Sequence, residues 1–230
     1  MISLILPYWQ RLGVAQAALR IMAGQYPDLD LEVIVVDDGS PEPFETPAGL
    51  PWPVRVLRLP SKNVPLNPCV PFNRGAELAQ GDVIALSNPE TLHRRPVLPA
   101  MRAELAVCGP AGVVLAACQL EGSAVWHCHS SVAGQPVEGV PMPAGAHWHF
   151  LSMMCRPLWE AAGGFDEDYR DGAGYDDPDL VLRLDAAGAR FKIRDDLVVT
   201  HVRNQARAAW SPAQFERNRR LFVAKWSARC

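Results

Sequence analysis

Three clusters of polar and acidic residues close apolar runs, and their types suit holding a polyhydroxylated ligand, a divalent cation and a proton in transit. The first is Val35-Val36-Asp37-Asp38-Gly39-Ser40. Adjacent carboxylates at the carboxyl end of a buried strand can accept hydrogen bonds from a base N–H or ribose hydroxyls. The same residues equally suit a turn in which Asp37 caps the loop. The second is Gly81-Asp82-Val83-Ile84-Ala85-Leu86-Ser87-Asn88-Pro89-Glu90. Here the Glu90 carboxylate could reach a divalent cation, assisted by Asn88, and oxygen ligands suit Mg²⁺ or Mn²⁺. Asn-Pro-Glu is also a plausible turn into a helix. The third joins Gly163-Gly164-Phe165-Asp166-Glu167 to Gly172-Ala173-Gly174-Tyr175-Asp176-Asp177-Pro178-Asp179 and Arg183. Asp176 and Asp177 stand at a helix N-terminus, where the dipole favours an ionised carboxylate for capping or for general-base work. Asp179 fits capping best.

Histidines add further donors. His201 follows the apolar run Leu197–Thr200. His127 and His129 alternate, as do His147 and His149, so each pair would share one strand face. A zinc site could be built from such pairs, but their spacing matches no zinc pattern. Lining of a ligand groove by Trp148 or His149 is the stronger expectation.

Strands and helices must present these groups. Ser3–Leu6 reads as a first core strand, and Gln16–Tyr26 has helical spacing that Pro27 closes. Leu31–Val36 is largely β-branched and apolar, as for a strand buried on both faces. Pro53–Leu59 and Asp82–Leu86 read as further strands, with a helix at Phe72–Gln80. This βαβ rhythm predicts a mixed, mainly parallel sheet flanked by helices. Val97–Val107 is an expected helix and Gly112–Leu120 a strand. Gly122–Ala146, rich in Gly, Pro and His, is expected to form a hairpin or a flap that is loose without ligand. His147–Met154 reads as a strand and Asp177–Ala187 as a helix. Strands near Phe191–Ile193 and Leu197–His201 follow. Ser211-Pro212 caps a last helix running to about Trp226.

The chain of 230 residues suits one α/β domain. The expected division is a first half (1–95), a second half (96–205) and a C-terminal helix (206–230). The net charge of −3 gives no general attraction to nucleic acid or to an anionic membrane. No run approaches a bilayer span. Met1–Pro7 lacks the basic start of a signal peptide. None of the six cysteines forms a C-x-x-C pair. A cytoplasmic location with free thiols is expected.

Taken in order, the clusters resemble the family 2 glycosyltransferases. Carrying the resemblance are Leu6-Pro7-Tyr8, the unchanged V-V-D-D-G-S, Phe72-Asn73-Arg74-Gly75, the Gly81–Glu90 run, G-G-F-D-E and the acidic pair with Arg183. It covers Ile2 to about Arg203. It implies a GT-A-type fold and inverting transfer of a sugar from a nucleotide diphosphate, a UDP-sugar above all. The acceptor would be a hydroxyl of a glycan, a lipid-linked molecule or a protein. It implies nucleotide contacts from Pro7, Tyr8, Asp37, Asp38, Asn73 and Asn88. Glu90 and His201 would hold Mn²⁺ or Mg²⁺. Asp177 would be the base, with Asp176 shaping the acceptor site. One departure stands out: Asn88-Pro89-Glu90 replaces the family's Asp-x-Asp. That substitution leaves open a non-catalytic nucleotide-sugar or glycan-binding domain. A nucleotidyltransferase would want a glycine-rich basic loop after the first strand, where this chain has Gly13 alone.

Overall fold

The computed structural model describes residues 1–61, 67–202 and 211–227. Strand β2 (Leu31–Asp37) is buried at every position, its Val33–Val36 run in the core and its Glu32 carboxylate paired with Arg55. It lies between β1 (Ile2–Tyr8) and β3 (Val54–Arg58), parallel to both. β4 (Val83–Ser87) pairs parallel with the other side of β1, but only as far as Ile5↔Leu86. Pro7 therefore sits where β1 has one ladder neighbour, a position that tolerates the missing N–H. The strand runs on through Pro7 to Tyr8 rather than ending at Leu6.

Helix α1 (Leu12–Gln25) and helix α2 (Cys69–Leu78) start earlier than expected. α2 packs so closely on β1 that a Cβ on Gly75 would come 2.3 Å from the Ile5 side chain. The sheet continues through β5 (Thr91–Leu92), β6 (Gly112–Leu120), β7 (Trp126–Cys128), β8 (Leu151–Cys155) and β9 (Arg190–His201), with α3 (Val97–Cys108) following β5. Its order is β3-β2-β1-β4-β8-β6-β9-β5, with β7 antiparallel to β6. β8 runs antiparallel to both β4 and β6, while β9 is parallel to β6. The result is the expected mixed α/β sheet, parallel throughout its first half.

Three local expectations are corrected. The two strands foreseen near Phe191–Ile193 and Leu197–His201 are one strand, β9, with a register shift opposite Ala116/Ala117. The strand foreseen at His147–Met154 begins only at Leu151. For Gly122–Ala146 the expected hairpin is present and the loose flap is replaced: β7 pairs with β6, and Cys128, Val140 and Ala146 are buried.

The acidic cluster is carried by α5 (Asp176–Ala186), after α4 (Arg156–Ala162) and a short 3₁₀ turn, Glu167–Asp171. What fixes α5 is Asp179, which caps nothing and is fully buried. Its Oδ1 accepts hydrogen bonds from Trp226 Nε1 at 2.7 Å and Tyr169 Oη at 3.3 Å, and lies 2.7 Å from Lys225 Nζ. Trp226 and Lys225 belong to α6 (Pro212–Trp226), which opens on a Ser211/Gln214 capping box. Removing one partner of a buried ion pair strands the others. Asp179→Ala should therefore lower the unfolding free energy by about 3 kcal/mol in urea titration. An unchanged midpoint would contradict this anchoring role.

Candidate active site

The carboxyl ends of β1, β2 and β4 open on one cavity of about 330 Å³. Its walls include Pro7, Tyr8, Asp38, Asn88, Glu90, Asp176, Asp177 and His201, eight of the ten residues singled out from sequence. The Asp38 amide donates to Tyr8 O at 2.9 Å, tying the two strand ends together. Gly39 then turns the chain with φ +74°, and a Cβ there would lie 2.0 Å from Pro60 O. The Tyr8 side chain is buried under the cavity floor: its hydroxyl donates to Glu42 O, its ring packs edge-on against Phe44, and burial raises its pKa to about 12.

Asp37 and Asn73 are corrections, since neither lines the cavity. Both Asp37 oxygens serve the loop: Oδ1 accepts from the Ser40 amide, and Oδ2 from the Phe44 amide and Arg58 Nη1. Asn73 stitches α2 to the Gly163–Glu167 turn, donating to Phe165 O and Glu167 Oε1 and accepting from the Phe165 amide. His149 is buried too, its Nδ1 2.7 Å from Ser152 Oγ, so of the two groove residues only Trp148 remains available.

Glu90 is buried, with Oε1 3.5 Å from His201 Nε2. Two-residue strand β5 brings them together, because Thr91 pairs with His201 and the Val202 amide donates to Glu90 O. Two ligand atoms each about 2.1 Å from a cation, at angles from right to tetrahedral, lie roughly 3.0–3.4 Å apart, so this pair fits a divalent ion. His201 Nδ1 is buried without a hydrogen-bond partner. Among the described residues no set of three His, Cys, Asp or Glu converges as a metal cage, so remaining ligands would come from substrate and water. The zinc reading gains nothing: His127 lines the cavity, whereas His129 turns to Ser131 and Asp195.

Two members of the site were missed in the sequence. Arg11 Nη2 lies 3.1 Å from the same Glu90 oxygen. Gln10 and Arg11 are consecutive left-handed residues (φ 57° and 61°), held by Gln10 N donating to Ser40 Oγ and Leu12 N to Glu42. No sequence signature announces such a pair. Asn67, just before α2, donates to Asp176 Oδ1 at 2.8 Å and accepts from the Cys69 amide. Only its Asn-Pro position before a helix hinted at a capping role.

Asp176 is buried and Asp177 half-buried at the start of α5. Burial raises the Asp176 carboxyl, opposed by the Asn67 hydrogen bond. Asp177 is pushed well above the usual carboxylate range by burial and then by the Asp176 charge, with the His149 backbone N–H working the other way. A carboxyl raised in this way suits taking a proton near neutral pH.

The sheet that carries this arrangement has the GT-A type of α/β fold. A Glycosyl transferase family 2 profile matches residues 3–135, more than half of the 230, and the chain belongs to that family. A sequence search among curated proteins returned no match. Among solved structures, S. aureus TarS residues 1–349 with UDP-GlcNAc superimposes with a TM-score of 0.72 at 16% identity, over 97% of this chain and 66% of that one. A Pyrobaculum calidifontis mannosyltransferase with GDP-Man and Mn²⁺ gives 0.59 at 19% identity, over 86% of this chain and 56% of that one. The chain thus spans under two thirds of either relative. No helix among the described residues is long and apolar enough to cross a membrane.

The raised Asp177 carboxyl has a consequence for stability. It keeps its proton in the folded state at pH values where the unfolded chain, at an ordinary 3.8, has lost it. Stability therefore falls as pH rises from about the unfolded value through the folded one. Asp177→Asn should raise the melting temperature at pH 7 to 8, with the gain fading towards pH 4. A variant less stable than wild type at pH 7, or equally shifted at both ends, would contradict the raised carboxyl.

Proposed function

We propose that this chain transfers a sugar from a nucleotide diphosphate sugar, UDP-linked, to a hydroxyl of a glycan, lipid-linked or protein acceptor, inverting the anomeric carbon. The observation that carries the reading is the meeting of Asp38, Glu90, His201 and Asp177 in one cavity at the strand ends. Both structural relatives were solved with nucleotide sugars, which supports the donor class. Asp38 accepts from the base or ribose, with the Pro7–Tyr8 backbone and Asn88 framing the nucleoside. Glu90 and His201 would hold Mn²⁺ or Mg²⁺, which when bound supplies positive charge to the departing diphosphate. Arg11 adds a second cation against the same phosphates. Asp177 takes the acceptor proton while the acceptor oxygen attacks the anomeric carbon and the bond to the diphosphate breaks, its electron pair leaving with the phosphate. One base and one displacement give inversion. Asn67 holds Asp176 in place through its Oδ1, and Asp176 shapes the acceptor side of the site. A cytoplasmic setting belongs to the same reading, supported by five described cysteines that are all free thiols.

Loss of a general base costs on the order of 10²–10⁴ in rate. Asp177→Asn should lower turnover by about that much and leave the UDP dissociation constant near wild type. Near-wild-type turnover would remove Asp177 from the role and favour the non-catalytic binding domain.

Glu90→Gln should abolish the strengthening of UDP binding by Mn²⁺ in calorimetry. Arg11→Gln should act oppositely on the ion alone, tightening Mn²⁺ binding by freeing Glu90 from a competing cation. Equal UDP affinity with and without metal in the wild type would contradict the ligand assignment.

A further inference from the structure

A second cavity of about 360 Å³ adjoins the first and shares Gly174, Asp176 and Asp177 with it. Its other walls are Trp148, Tyr175, Phe215, Val137 and Pro178. We infer that this cavity is the acceptor site and that it takes an uncharged pyranose ring, stacked on Trp148 and Phe215 with one hydroxyl on Asp177. The inference rests on the transferase reading and narrows its acceptor to a neutral saccharide.

Position comes first. An acceptor must approach the base from the side opposite the leaving group, and Asp177 stands at the seam of the two cavities. Trp148 stands at that seam, lining the same wall as Asp177, and the next amide, His149 N–H, faces the Asp177 carboxyl and opposes its rise in pKa.

The chemistry of the wall points to a sugar face. A pyranose presents apolar C–H edges on one face and hydroxyls around its rim. Aromatic rings recognise the first and carboxylates accept from the second. Phe215 is 43% exposed although its ring is large and apolar. The aromatic wall is also placed under strain. Tyr175 is held left-handed at φ 66°, uncommon for a bulky residue, directly after left-handed Gly174. Its hydroxyl donates at 2.7 Å to Glu138, itself left-handed at φ 50°, while its ring rests on Phe222. Arg219 completes the strap by pairing with Glu138 and Glu216.

Charge selects among acceptors. Besides Tyr175, the only ionisable groups on the described walls are Asp176 and Asp177. A phosphate or uronate here would bring its charge to described walls that offer it no cation, beside two poorly solvated carboxyl groups. A lipid phosphate or a polyol phosphate is therefore the wrong ligand for this wall.

The test uses the full chain with UDP-sugar and Mn²⁺. Methyl pyranosides and short neutral oligosaccharides are compared with a polyol phosphate and a Ser/Thr peptide as acceptors, reading UDP release. A neutral saccharide should give the largest stimulation. Trp148→Ala should raise its KM about tenfold, the scale of one lost aromatic contact, and Trp148→Phe should recover most of it. UDP affinity, set in the first cavity, should stay at the wild-type value, so that the change is confined to the acceptor. Saturation-transfer NMR with the same saccharides reads ring contact without any donor, in wild type and in Trp148→Ala. Saccharide contact without UDP binding would sink the transferase reading alone. Preference for the polyol phosphate or the peptide would overturn the inference, as would unchanged KM in Trp148→Ala or no saccharide contact in wild type.

Discussion

Four carboxylates, those of Asp38, Glu90, Asp176 and Asp177, face one small cavity, and the surrounding fold is arranged around their mutual repulsion. Charges out of water need partners, or they take up protons. Each neighbour relieves a different member. Arg11 and His201 stand beside Glu90, Asn67 donates to Asp176, and Asp177 is pushed further towards its protonated form than Asp176. A site so acidic repels a diphosphate unless cations enter with it. Arg11 is the only lysine or arginine among the described residues lining the cavity, so a divalent ion would supply most of the compensating charge.

Holding α5 in place is therefore as important as the acidic pair it carries. The buried Asp179 one turn on draws α6 against α5 through Trp226 and Lys225, and Lys225 also reaches Asp166 in the preceding turn. A carboxylate without a catalytic task thus positions two that have one. The same division of labour appears at the other wall, where Asp37 organises the loop and its neighbour Asp38 faces the ligand space.

The strand ends and their acidic residues were legible in sequence because long apolar runs broken by turn residues leave little choice of structure. Asp37 as loop cap and Asp37 as nucleotide contact were both open readings of the sequence, and nothing in it chose between them. The choice depends on the register Asp37↔Arg58 between β2 and β3, a tertiary fact. Asn73 was assigned by resemblance, yet α2 turns it towards the Gly163–Glu167 segment. Arg11 escaped because its backbone conformation is stabilised by Ser40 and Glu42, distant in sequence. His201 was found, but its approach to Glu90 depends on β5, too short to leave a periodicity. The ordered packing of Gly122–Ala146 against β6 and β9 was hidden by the same glycines and prolines that shape its turns.

The central claim is that this acidic cavity binds a nucleotide diphosphate together with a divalent ion. Thermal denaturation of the wild type against a panel of nucleotide diphosphates and nucleotide sugars, each with and without Mn²⁺, tests it most directly, since a ligand specific to the folded state raises the midpoint by mass action. The account predicts an upward shift with UDP or a UDP-sugar that is much larger when Mn²⁺ is present. No shift with any nucleotide in either condition would contradict it.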